Sequence, residues 1–468
     1  MVILFAITNW PWTLDDYDQA KQAFVSDQMI KEGRWLYQTT PQEGLGSGRR
    51  RHTSHHISAK PPAVAWASAG LFALTRSWDM AWRLPSFAAA LALAWLIYRT
   101  GANAWGSEGG LVGLSAFALN LLSVRLATLV RTDTPLAFVT FAAGLFLFEK
   151  VRNRAPWNLR DRWLLGGLLL AGLFVKGPII YAFVLPPLVL YQWRRRSQPE
   201  WATAWSGWWP WVLSLALFLC WVAGGIKYID GFYEDVVLTE FAGRFHEGVH
   251  RSQPFWFYLP HLLHKWAPWS LLSLLLGWLA WRKSRHARLP VSATTFWLIS
   301  WALGGLIVMS LLPSKRVDRI FPAIPPLCLL LAAQLAAFRP DERIWRALTI
   351  HKLKTIALLV AGVLTCGYAT ARVFDGYRTN RDALEKFGRT VRALAAREHL
   401  HYEVAPAQDE GLLLYLQRPK FVTPATGALA SGNWIRPLKD EASIGARVVV
   451  DKITDPPARY GFFTAPAK

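Results

Sequence analysis

Residues 130–150 read VRTDTPLAFVTFAAGLFLFEK, a charged corner followed by an apolar run. A second apolar run, over residues 108–125, precedes the corner. Because roughly 20 apolar residues cross a bilayer as a helix, both runs predict transmembrane helices. Arg131 and Asp133 would then stand at the membrane boundary, where charge is costly and marks a functional-site hypothesis.

The composition extends this pattern to the whole chain. Of the 468 residues 53% are hydrophobic, with 26 Trp and 25 Phe, and the apolar residues are gathered into runs. The short loops between the runs are rich in Arg and Trp, as in proteins with aromatic belts and orienting positive loops. The net charge of +21 comes from Arg and Lys at helix ends, which favours membrane topology over nucleic-acid binding. No nucleic-acid partner is therefore expected.

The order of the apolar runs predicts an all-α polytopic membrane protein with about 11 transmembrane helices plus juxtamembrane helices. Every second loop is basic, which places residues 13–81, 126–133, 227–267 and 313–317 together on the outer face. The run 61–76 is short and begins with two prolines, so it predicts a helix lying in the interface. The first apolar run has only about nine residues and predicts a short interfacial helix or a truncated span.

Composition also divides the chain into two regions. Residues 1–373 carry the apolar runs and predict the transmembrane domain, with an outer catalytic loop at 13–81 and a second outer loop at 227–267. In residues 374–468 charges are interspersed, and a helical pattern from Arg381 to Glu398 precedes short β-rich pieces. This pattern predicts a small C-terminal soluble α/β domain on the outer face.

Two acidic side chains on the outer face are candidates for catalysis. Asp18 lies in LDDYDQAKQAF, and Asp133 lies in VRTDTPLAF. A helix N-cap or a favourable interaction with the helix dipole also explains each acidic position. Helix capping does not explain why Arg131 is next to Asp133, or why Asp133 and Asp18 are both expected on the outer face of the membrane. These features favour a catalytic base and an orienting partner.

Cations on the same face are candidates for binding a phosphate. Lys60 precedes a proline pair, and Lys315 and Arg316 follow an apolar helix in LLPSKRVDRIFP. A lysine at the membrane surface also snorkels without any further role, and that alternative stays open for Lys60. Lys and Arg would hold a lipid phosphate and stabilise it as a leaving group, while a carboxylate accepts the proton of an attacking hydroxyl. The mixture predicts group transfer from an anionic lipid.

The long outer loop TEFAGRFHEGVHRSQPFWFYLP holds a further set of polar residues. Glu240, His246 and His250 are candidates for binding the acceptor or a divalent metal, and Arg244 is a candidate for binding the phosphate. Two histidines four residues apart suit metal ligands on one helix face, whereas most His-rich loops are only solvated. No cofactor is required by this pattern, and a divalent metal stays open.

Short motifs follow one another over residues 14–337. In order they are YDQAKQAFVSDQMIKEGRWLYQ, AKPPAVAW, WRLPSF, LVRTDTPLAFV, VKGP, RFHEGVHRSQPFWFYLPHLL and LLPSKR. Their order resembles the membrane-embedded glycosyltransferases of the GT-C type, in the branch of the lipid A aminoarabinose transferase and the dolichyl-phosphate-mannose protein mannosyltransferases. The resemblance implies that Asp18 is the catalytic base and Asp133 a second acid that orients it or the acceptor. It also implies that the donor phosphate is bound by Lys60, Arg83, Arg244, Lys315 and Arg316.

The resemblance further implies a donor, a reaction and a location. The donor would be a polyprenyl-phosphate sugar, and the sugar would move with inversion to a glycolipid, polysaccharide or protein. The site would face the periplasmic, or extracytoplasmic, side of the inner (plasma) membrane. Where the family has two further carboxylates this chain has Gln19 and Ala59, which weakens the case for a metal, and Arg319 stands where the family often has Tyr. A transporter or flippase of lipid-linked sugars, which needs no base, and a scaffolding membrane protein are the alternatives.

Overall fold

The structure is a computed structural model of the chain and is dominated by helices. It describes residues 1–14, 16–41, 55–58, 60–244, 252–287, 291–345, 348–407, 409–424, 432–438, 445–452 and 457–465. The α-helices, in chain order, are α1 (Val2–Ile7), α2 (Tyr17–Glu32), α3 (Ala63–Thr75), α4 (Trp78–Ala118), α5 (Leu121–Leu126), α6 (Asp133–Asn153), α7 (Leu159–Lys176), α8 (Ile179–Arg195), α9 (Trp209–Tyr228), α10 (Tyr258–Lys265), α11 (Trp269–Ala287), α12 (Ala293–Leu311), α13 (Ile324–Ala336), α14 (Ile350–Arg378), α15 (Ala383–Arg397) and α16 (Glu410–Leu416).

Short strands and helical turns complete the described chain. The strands are β1 (Thr39–Pro41), β2 (His55–Ile57), β3 (Arg343–Trp345), β4 (Leu348–Thr349), β5 (Glu403–Val404), β6 (Trp434–Pro437), β7 (Val448–Lys452) and β8 (Ala458–Phe463). β1 pairs with β2 and β3 with β4, both antiparallel, while the C-terminal sheet has the order β5-β6-β8-β7 with only β5 and β6 parallel. A π-helical segment covers Tyr233–Phe241, and 3₁₀ turns cover Ala242–Arg244, Phe255–Phe257 and Val317–Ala323.

Six helical segments of the described chain are long and apolar enough to cross a membrane. They are Trp78–Ala118, Asp133–Asn153, Trp209–Tyr228, Ala293–Leu311, Val317–Ala336 and Ile350–Arg397. The predicted polytopic all-α class is confirmed, but the count of about 11 spanning helices is not. The apolar helix α3 has 13 residues, too few to cross a bilayer, and coincides with the run predicted to lie in the interface.

A sharp break divides α4 into two apolar segments. Trp105 and Gly106 leave the helical conformation, and Gly106 has a φ of 78°, which glycine adopts without strain. A Cβ atom on Gly101 would lie 2.9 Å from the carbonyl oxygen of Gly109. Small residues therefore let the two segments pack closely against each other, as in other membrane helix pairs.

Aromatic and small side chains pack the centre of the bundle. Phe141 of α6 stacks on Trp301 of α12, with ring centroids 5.2 Å apart. Gly144 lies against the same indole, since a Cβ atom there would come within 2.4 Å of the ring. This packing holds α6 against α12. Because α6 begins at Asp133, it also determines where that carboxylate lies at one end of the bundle.

The C-terminal region shares a hydrophobic core with α2. Phe24 of α2 and Trp82 of α4 are buried together with Phe462 of β8. The hydroxyl of Tyr415 on α16 accepts a hydrogen bond from the backbone N–H of Leu14 at 2.6 Å. Removal of this apolar surface from water stabilises the contact, at about 25 cal/mol per Å². The C-terminal region therefore supports the segment in which α2 begins.

The predicted division of the chain after residue 373 falls inside α14, which continues to Arg378. The helical pattern predicted from Arg381 to Glu398 corresponds to α15, and a helix and the mixed sheet follow it. The C-terminal region is thus α/β in composition. Its treatment as a separate soluble domain stays a prediction.

Candidate active site

The first turn of α2 is acidic. Asp16 caps the helix, since its Oδ1 accepts a hydrogen bond from the backbone N–H of Gln19 at 3.1 Å, the usual contribution of an N-cap aspartate. Asp18 lies inside the same turn. The capping alternative weighed for this stretch therefore belongs to Asp16, and Asp18 has different partners.

The corner between α5 and α6 lies against this acidic turn. The side-chain oxygen of Gln19 accepts a hydrogen bond from the backbone N–H of Val130 at 3.1 Å. On the other side, the hydroxyl of Ser86 donates to the carbonyl oxygen of Arg131 at 3.2 Å. Both hydrogen bonds provide partners for backbone groups that lie between the two helices and have no helical partner. They hold the guanidinium of Arg131 next to the start of α2.

Arg131 joins three carboxylates. Its Nη2 donates to both carboxylate oxygens of Asp16 at 3.0 Å and lies 3.5 Å from Oδ2 of Asp18. Its Nη1 donates to Asp318 at 2.9 Å. The planar guanidinium, with its fixed fork of donors, is the side chain best suited to several carboxylates at once.

Two more arginines extend this arrangement. Nη2 of Arg316 donates to Oδ2 of Asp18 at 2.9 Å and lies 3.9 Å from Asp318. Nη1 of Arg125 lies 3.5 Å from Oδ1 of Asp318. We define the carboxylate–arginine cluster as the residues Asp16, Asp18, Arg125, Arg131, Arg316 and Asp318.

Exposure differs within the cluster. The side chains of Arg131 and Asp318 are each 8% exposed, whereas those of Arg316 and Asp18 are 37% and 30% exposed. Burial acts to raise the pKa of Asp18, but the positive charges of Lys60, Arg131 and Arg316 outweigh it and hold that pKa well below its usual value. Asp18 is therefore an ionised carboxylate at neutral pH.

Asp133 pairs with a different cation. As the first residue of α6, it accepts a hydrogen bond from the ammonium of Lys176, the last residue of α7, and both side chains are mostly buried. Lys60 and Arg131 also act on Asp133 electrostatically, and Lys60 acts on Asp18. Lys60 therefore lies within electrostatic reach of both predicted catalytic carboxylates.

The other predicted cations have backbone partners. Arg83 is buried and donates to the carbonyl oxygens of Thr128, at 3.2 Å, and of Trp12. Lys315 donates to the carbonyl oxygen of Gln253 at 2.8 Å, and burial lowers its pKa. Arg83 thus joins two backbone segments, while Lys315 ties the long outer loop to the segment that precedes α13.

The remaining predicted residues belong to the long outer loop. His246 and His250 lie outside the described residues. Glu240 belongs to the π-helical segment and Arg244 to the 3₁₀ turn after it. Within the described residues, no three His, Cys, Asp or Glu side chains are grouped so that they could hold a metal ion.

Several charged residues at the site were given no role by the motifs. Asp318 lies between Arg316 and Arg319 at the junction of two apolar runs, where a carboxylate is costly enough to count as a signal. Lys176 ends an apolar run, a position that snorkelling also explains. Asp16 and Arg125 carried no such signal. Their partners are distant in sequence, so no periodic pattern reveals the contacts.

Related sequences match large parts of the chain. The family described as dolichyl-phosphate-mannose-protein mannosyltransferase matches residues 59–223. Undecaprenyl phosphate-alpha-4-amino-4-deoxy-L-arabinose arabinosyl transferase 2 of Sodalis glossinidius is 27% identical over 342 residues, which is 68% of this chain and 55% of the relative. The corresponding transferase of Pectobacterium atrosepticum is 25% identical over 378 residues, 73% of this chain and 60% of the relative. The chain thus spans little more than half the length of these curated relatives.

Solved structures share the fold. ArnT from Cupriavidus metallidurans bound to undecaprenyl phosphate superposes with a TM-score of 0.71 at 14% identity, covering 99% of this chain and 96% of that one. The apo state of the same protein gives a TM-score of 0.63 at 15% identity, covering 100% and 97%. Together with the sequence relatives, these structures confirm the resemblance that the ordered motifs predict.

Proposed function

We propose that this chain, a GT-C-type relative of the aminoarabinose transferases and protein mannosyltransferases, is a membrane glycosyltransferase. It moves a sugar from a polyprenyl-phosphate donor, of the undecaprenyl-phosphate kind, to an acceptor on the outer face of the inner (plasma) membrane. The observation that carries the proposal is the partly exposed carboxylate of Asp18, 2.9 Å from Arg316 and within electrostatic reach of Lys60. The proposed proton acceptor, Asp18, therefore lies near two cations that are proposed to bind the donor phosphate.

The names of the relatives support the donor class. The curated relatives are named for undecaprenyl phosphate-alpha-4-amino-4-deoxy-L-arabinose, and the solved ArnT is bound to undecaprenyl phosphate. A lipid-phosphate donor suits a site at the end of apolar helices, because the prenyl chain stays in the bilayer while its phosphate reaches the cations. No nucleotide sugar is needed.

The reaction is a displacement at the anomeric carbon of the donor sugar. The acceptor oxygen forms a bond to that carbon and gives its proton to the carboxylate of Asp18, a step that general bases accelerate by about 10²–10⁴-fold. The bond between the anomeric carbon and the phosphate oxygen breaks, and its electron pair leaves with polyprenyl phosphate. Attack from the opposite face inverts the configuration. Lys60 and Arg316 neutralise the negative charge that develops on the leaving phosphate.

Further residues position these groups. Asp133, which accepts a hydrogen bond from Lys176 and interacts electrostatically with Lys60, is proposed to orient either the base or the acceptor. Lys315 and Arg244 are proposed as additional phosphate contacts. Arg83 acts indirectly, since its hydrogen bonds join the backbone at Trp12 and Thr128.

The acceptor is proposed to be a glycolipid, with a polysaccharide or a protein as the alternatives to be separated by experiment. The long outer loop supplies the proposed acceptor contacts, Glu240, His246 and His250. An aromatic stretch of the same loop, Phe255–Phe257, is partly exposed and suits contact with a sugar or a lipid surface.

Lipid-extract mass spectrometry of a strain lacking the gene tests the function. We expect the strain to accumulate a polyprenyl-phosphate sugar and to lack one sugar on a glycolipid. The wild-type chain should restore the product, and Asp18→Asn should not. The matched control is Asp79→Asn, an exposed acid at the start of α4, which should restore it fully. An unchanged donor and product in the deletion strain would contradict the transferase.

The same experiment separates the transporter alternative. Transfer that survives Asp18→Asn contradicts the assignment of Asp18 as the base. A second assay follows a lipid-linked sugar across the bilayer of vesicles that contain the protein. A flippase would move this lipid at the same rate in the wild type and in Asp18→Asn, and the wild type would form no transferred product.

A further inference from the structure

The two arginines in contact with Asp18 are held very differently. Arg131 is 8% exposed and bonds to Asp16 at 3.0 Å and to Asp318 at 2.9 Å. Arg316 is 37% exposed, bonds to Asp18 at 2.9 Å and lies 3.9 Å from Asp318. Arg131 is thus fixed by carboxylates other than Asp18, whereas Arg316 is accessible and has its shortest carboxylate contact with Asp18.

The contact between Asp18 and Arg316 opposes catalysis as it stands. A carboxylate paired with a guanidinium accepts a proton poorly, because protonation abolishes the attraction. The donor phosphate offers the same arginine a charged, oxygen-rich partner of matching bidentate geometry. Two anions therefore compete for Arg316.

We propose that the donor phosphate takes Arg316 from Asp18, so that donor binding itself converts Asp18 into a base. Arg131 stays bound to Asp16 and Asp318 and keeps the carboxylate of Asp18 in position. This exchange rests on the proposed function and adds its order of events: Asp18 is a weak base until a donor is bound. A free site therefore does not take a proton from an acceptor before the donor phosphate has arrived.

Linkage gives the exchange a measurable consequence. If donor binding releases Asp18 from Arg316, then removing the charge of Asp18 must favour donor binding by the same coupling. Asp18→Asn should therefore bind a polyprenyl phosphate more tightly than the wild type does, although it transfers no sugar. A carboxylate that contacts only the donor sugar predicts an unchanged affinity for polyprenyl phosphate, which carries no sugar.

Binding of undecaprenyl phosphate to the purified full chain in detergent measures this coupling. We expect Asp18→Asn to lower the dissociation constant by at least about 5-fold, at the low end of typical coupling between sites. The matched control is Asp27→Asn, which removes an acid of the same helix that pairs with Lys31 at 2.8 Å, and should leave the constant unchanged. In an Arg316→Gln background, Asp18→Asn should no longer change it.

The outcomes separate the exchange from the proposed function. Equal or weaker binding by a folded Asp18→Asn overturns the exchange, and so does a gain in affinity that persists in Arg316→Gln. Sugar transfer by Asp18→Asn overturns the assignment of the base, whatever the affinity. The melting temperature of each variant shows that it is folded, and Asp18→Ala repeats the comparison without an amide.

A lateral cavity provides a second, independent inference. It has a volume of about 1000 Å³ and lies between α8 and α9, away from the carboxylate–arginine cluster. α8 begins three residues after Lys176, the partner of Asp133, and rises about 1.5 Å per residue from there to Arg195. The arginine end of the cavity is therefore remote from the site described above.

The cavity has an apolar wall and a cationic end. The hydrogen bond between the hydroxyls of Tyr181 and Ser214, 3.0 Å long, joins the two helices near the start of α8. Its lining includes Leu185, Val189, Val212, Leu215, Trp205 and Trp208.

Arg195 and Arg196 line the cavity where α8 ends, and none of its lining residues in the described part of the chain is acidic. Nε of Arg195 donates to the carbonyl oxygen of Trp201 at 2.7 Å, which fixes its guanidinium. Arg196 is exposed. An apolar chamber with cations at one end is complementary to a hydrocarbon chain that carries an anion. We infer that this cavity binds an anionic glycerophospholipid, with an acyl chain between α8 and α9 and the phosphate at Arg195 and Arg196.

Native mass spectrometry of the full chain, extracted from vesicles of phosphatidylglycerol and phosphatidylcholine in equal amounts, tests this site. We expect phosphatidylglycerol to be retained by the wild type and its retention to fall by about 30-fold in Arg195→Gln/Arg196→Gln, since surface cations contribute about 1 kcal/mol each. The matched control is Arg194→Gln, an exposed neighbour that does not line the cavity, which should retain the lipid. Val189→Trp should expel the lipid with both arginines in place. Retention without headgroup preference, or retention by the double variant, would mean ordinary surrounding lipid and overturn the inference.

Discussion

Arg131 donates a hydrogen bond to Asp318 at 2.9 Å although 187 residues separate them in sequence. Both side chains are only 8% exposed. The bond joins the corner before α6 to the turn Val317–Ala323, and the same guanidinium reaches Asp16 at the start of α2. Three distant segments of the chain therefore meet through one arginine.

Asp318→Asn should destabilise the protein by about 3 kcal/mol, because loss of one member of a buried ion pair leaves the other charge poorly compensated. Thermal unfolding in detergent measures the change as a lower melting temperature. Asp341→Asn, an exposed acid, is the matched control and should melt with the wild type. Equal melting of Asp318→Asn would contradict a structural role for the pair.

Lys176→Met should destabilise the protein more than removal of both charges of the Lys176–Asp133 pair. The single variant leaves the buried carboxylate of Asp133 without its ammonium partner, at a cost of about 3 kcal/mol. The double variant Lys176→Met/Asp133→Asn should recover most of the melting temperature but no sugar transfer. If the double variant lost as much stability as Lys176→Met and Asp133→Asn together, the two charges would not be coupled.

The stability that Asp18 contributes should depend on pH only in acid. Its folded pKa lies below the unfolded value of about 3.9, because Lys60, Arg131 and Arg316 outweigh burial. The contribution is therefore complete above the unfolded value and is lost as pH falls through the folded pKa. The difference in melting temperature between wild type and Asp18→Asn should be constant from about pH 5 to pH 8 and shrink below about pH 4. A difference that already shrinks between pH 8 and pH 6 would indicate a raised pKa.

Glu410→Gln should stabilise the C-terminal region at alkaline pH. Both carboxylate oxygens of Glu410 are buried without a hydrogen-bond partner among the described residues, and burial raises its pKa against the charges of Lys21 and Lys452. A raised pKa means that stability is complete below the unfolded value of about 4.3 and falls as pH rises through the folded pKa.

Melting curves at two pH values check this sign. Near pH 8, Glu410→Gln should gain about 1 kcal/mol, and near pH 4 the gain should vanish. Glu403→Gln, at an exposed position of β5, provides the control and should change little at either pH. A gain that is larger in acid would contradict the raised pKa.

Local patterns predicted much of the architecture. The apolar run after Asp133 became α6, the Pro-led run became the short helix α3, and the pattern from Arg381 became α15. Each depends on neighbours in sequence, because helix length and hydrophobicity are local properties. The count of spanning helices did not follow in the same way, since only part of the apolar runs form helices that are both long and apolar enough.

In the candidate site, too, the motifs predicted which residues are involved but not all of their contacts. Asp18, Lys60 and Arg316 were predicted from motifs, and the structure places them together. Asp133 was predicted to orient that base or the acceptor, which stays a prediction, and the structure adds its hydrogen bond from Lys176. Arg83 was predicted to bind the donor phosphate, which stays a prediction, and the structure shows its hydrogen bonds to backbone carbonyls.

The sequence by itself determined that this is a polytopic helical membrane protein with GT-C-type motifs, because apolar runs and short motifs are written in consecutive residues. Only the tertiary structure decided which cation meets which carboxylate. The carboxylate of Asp18 contacts both Arg316 and Arg131, and Asp318, which is distant in sequence, contacts Arg131. An ion pair forms where helices of different sequence position pack, so the charges were visible in the sequence while their pairing depended on the packing of the bundle.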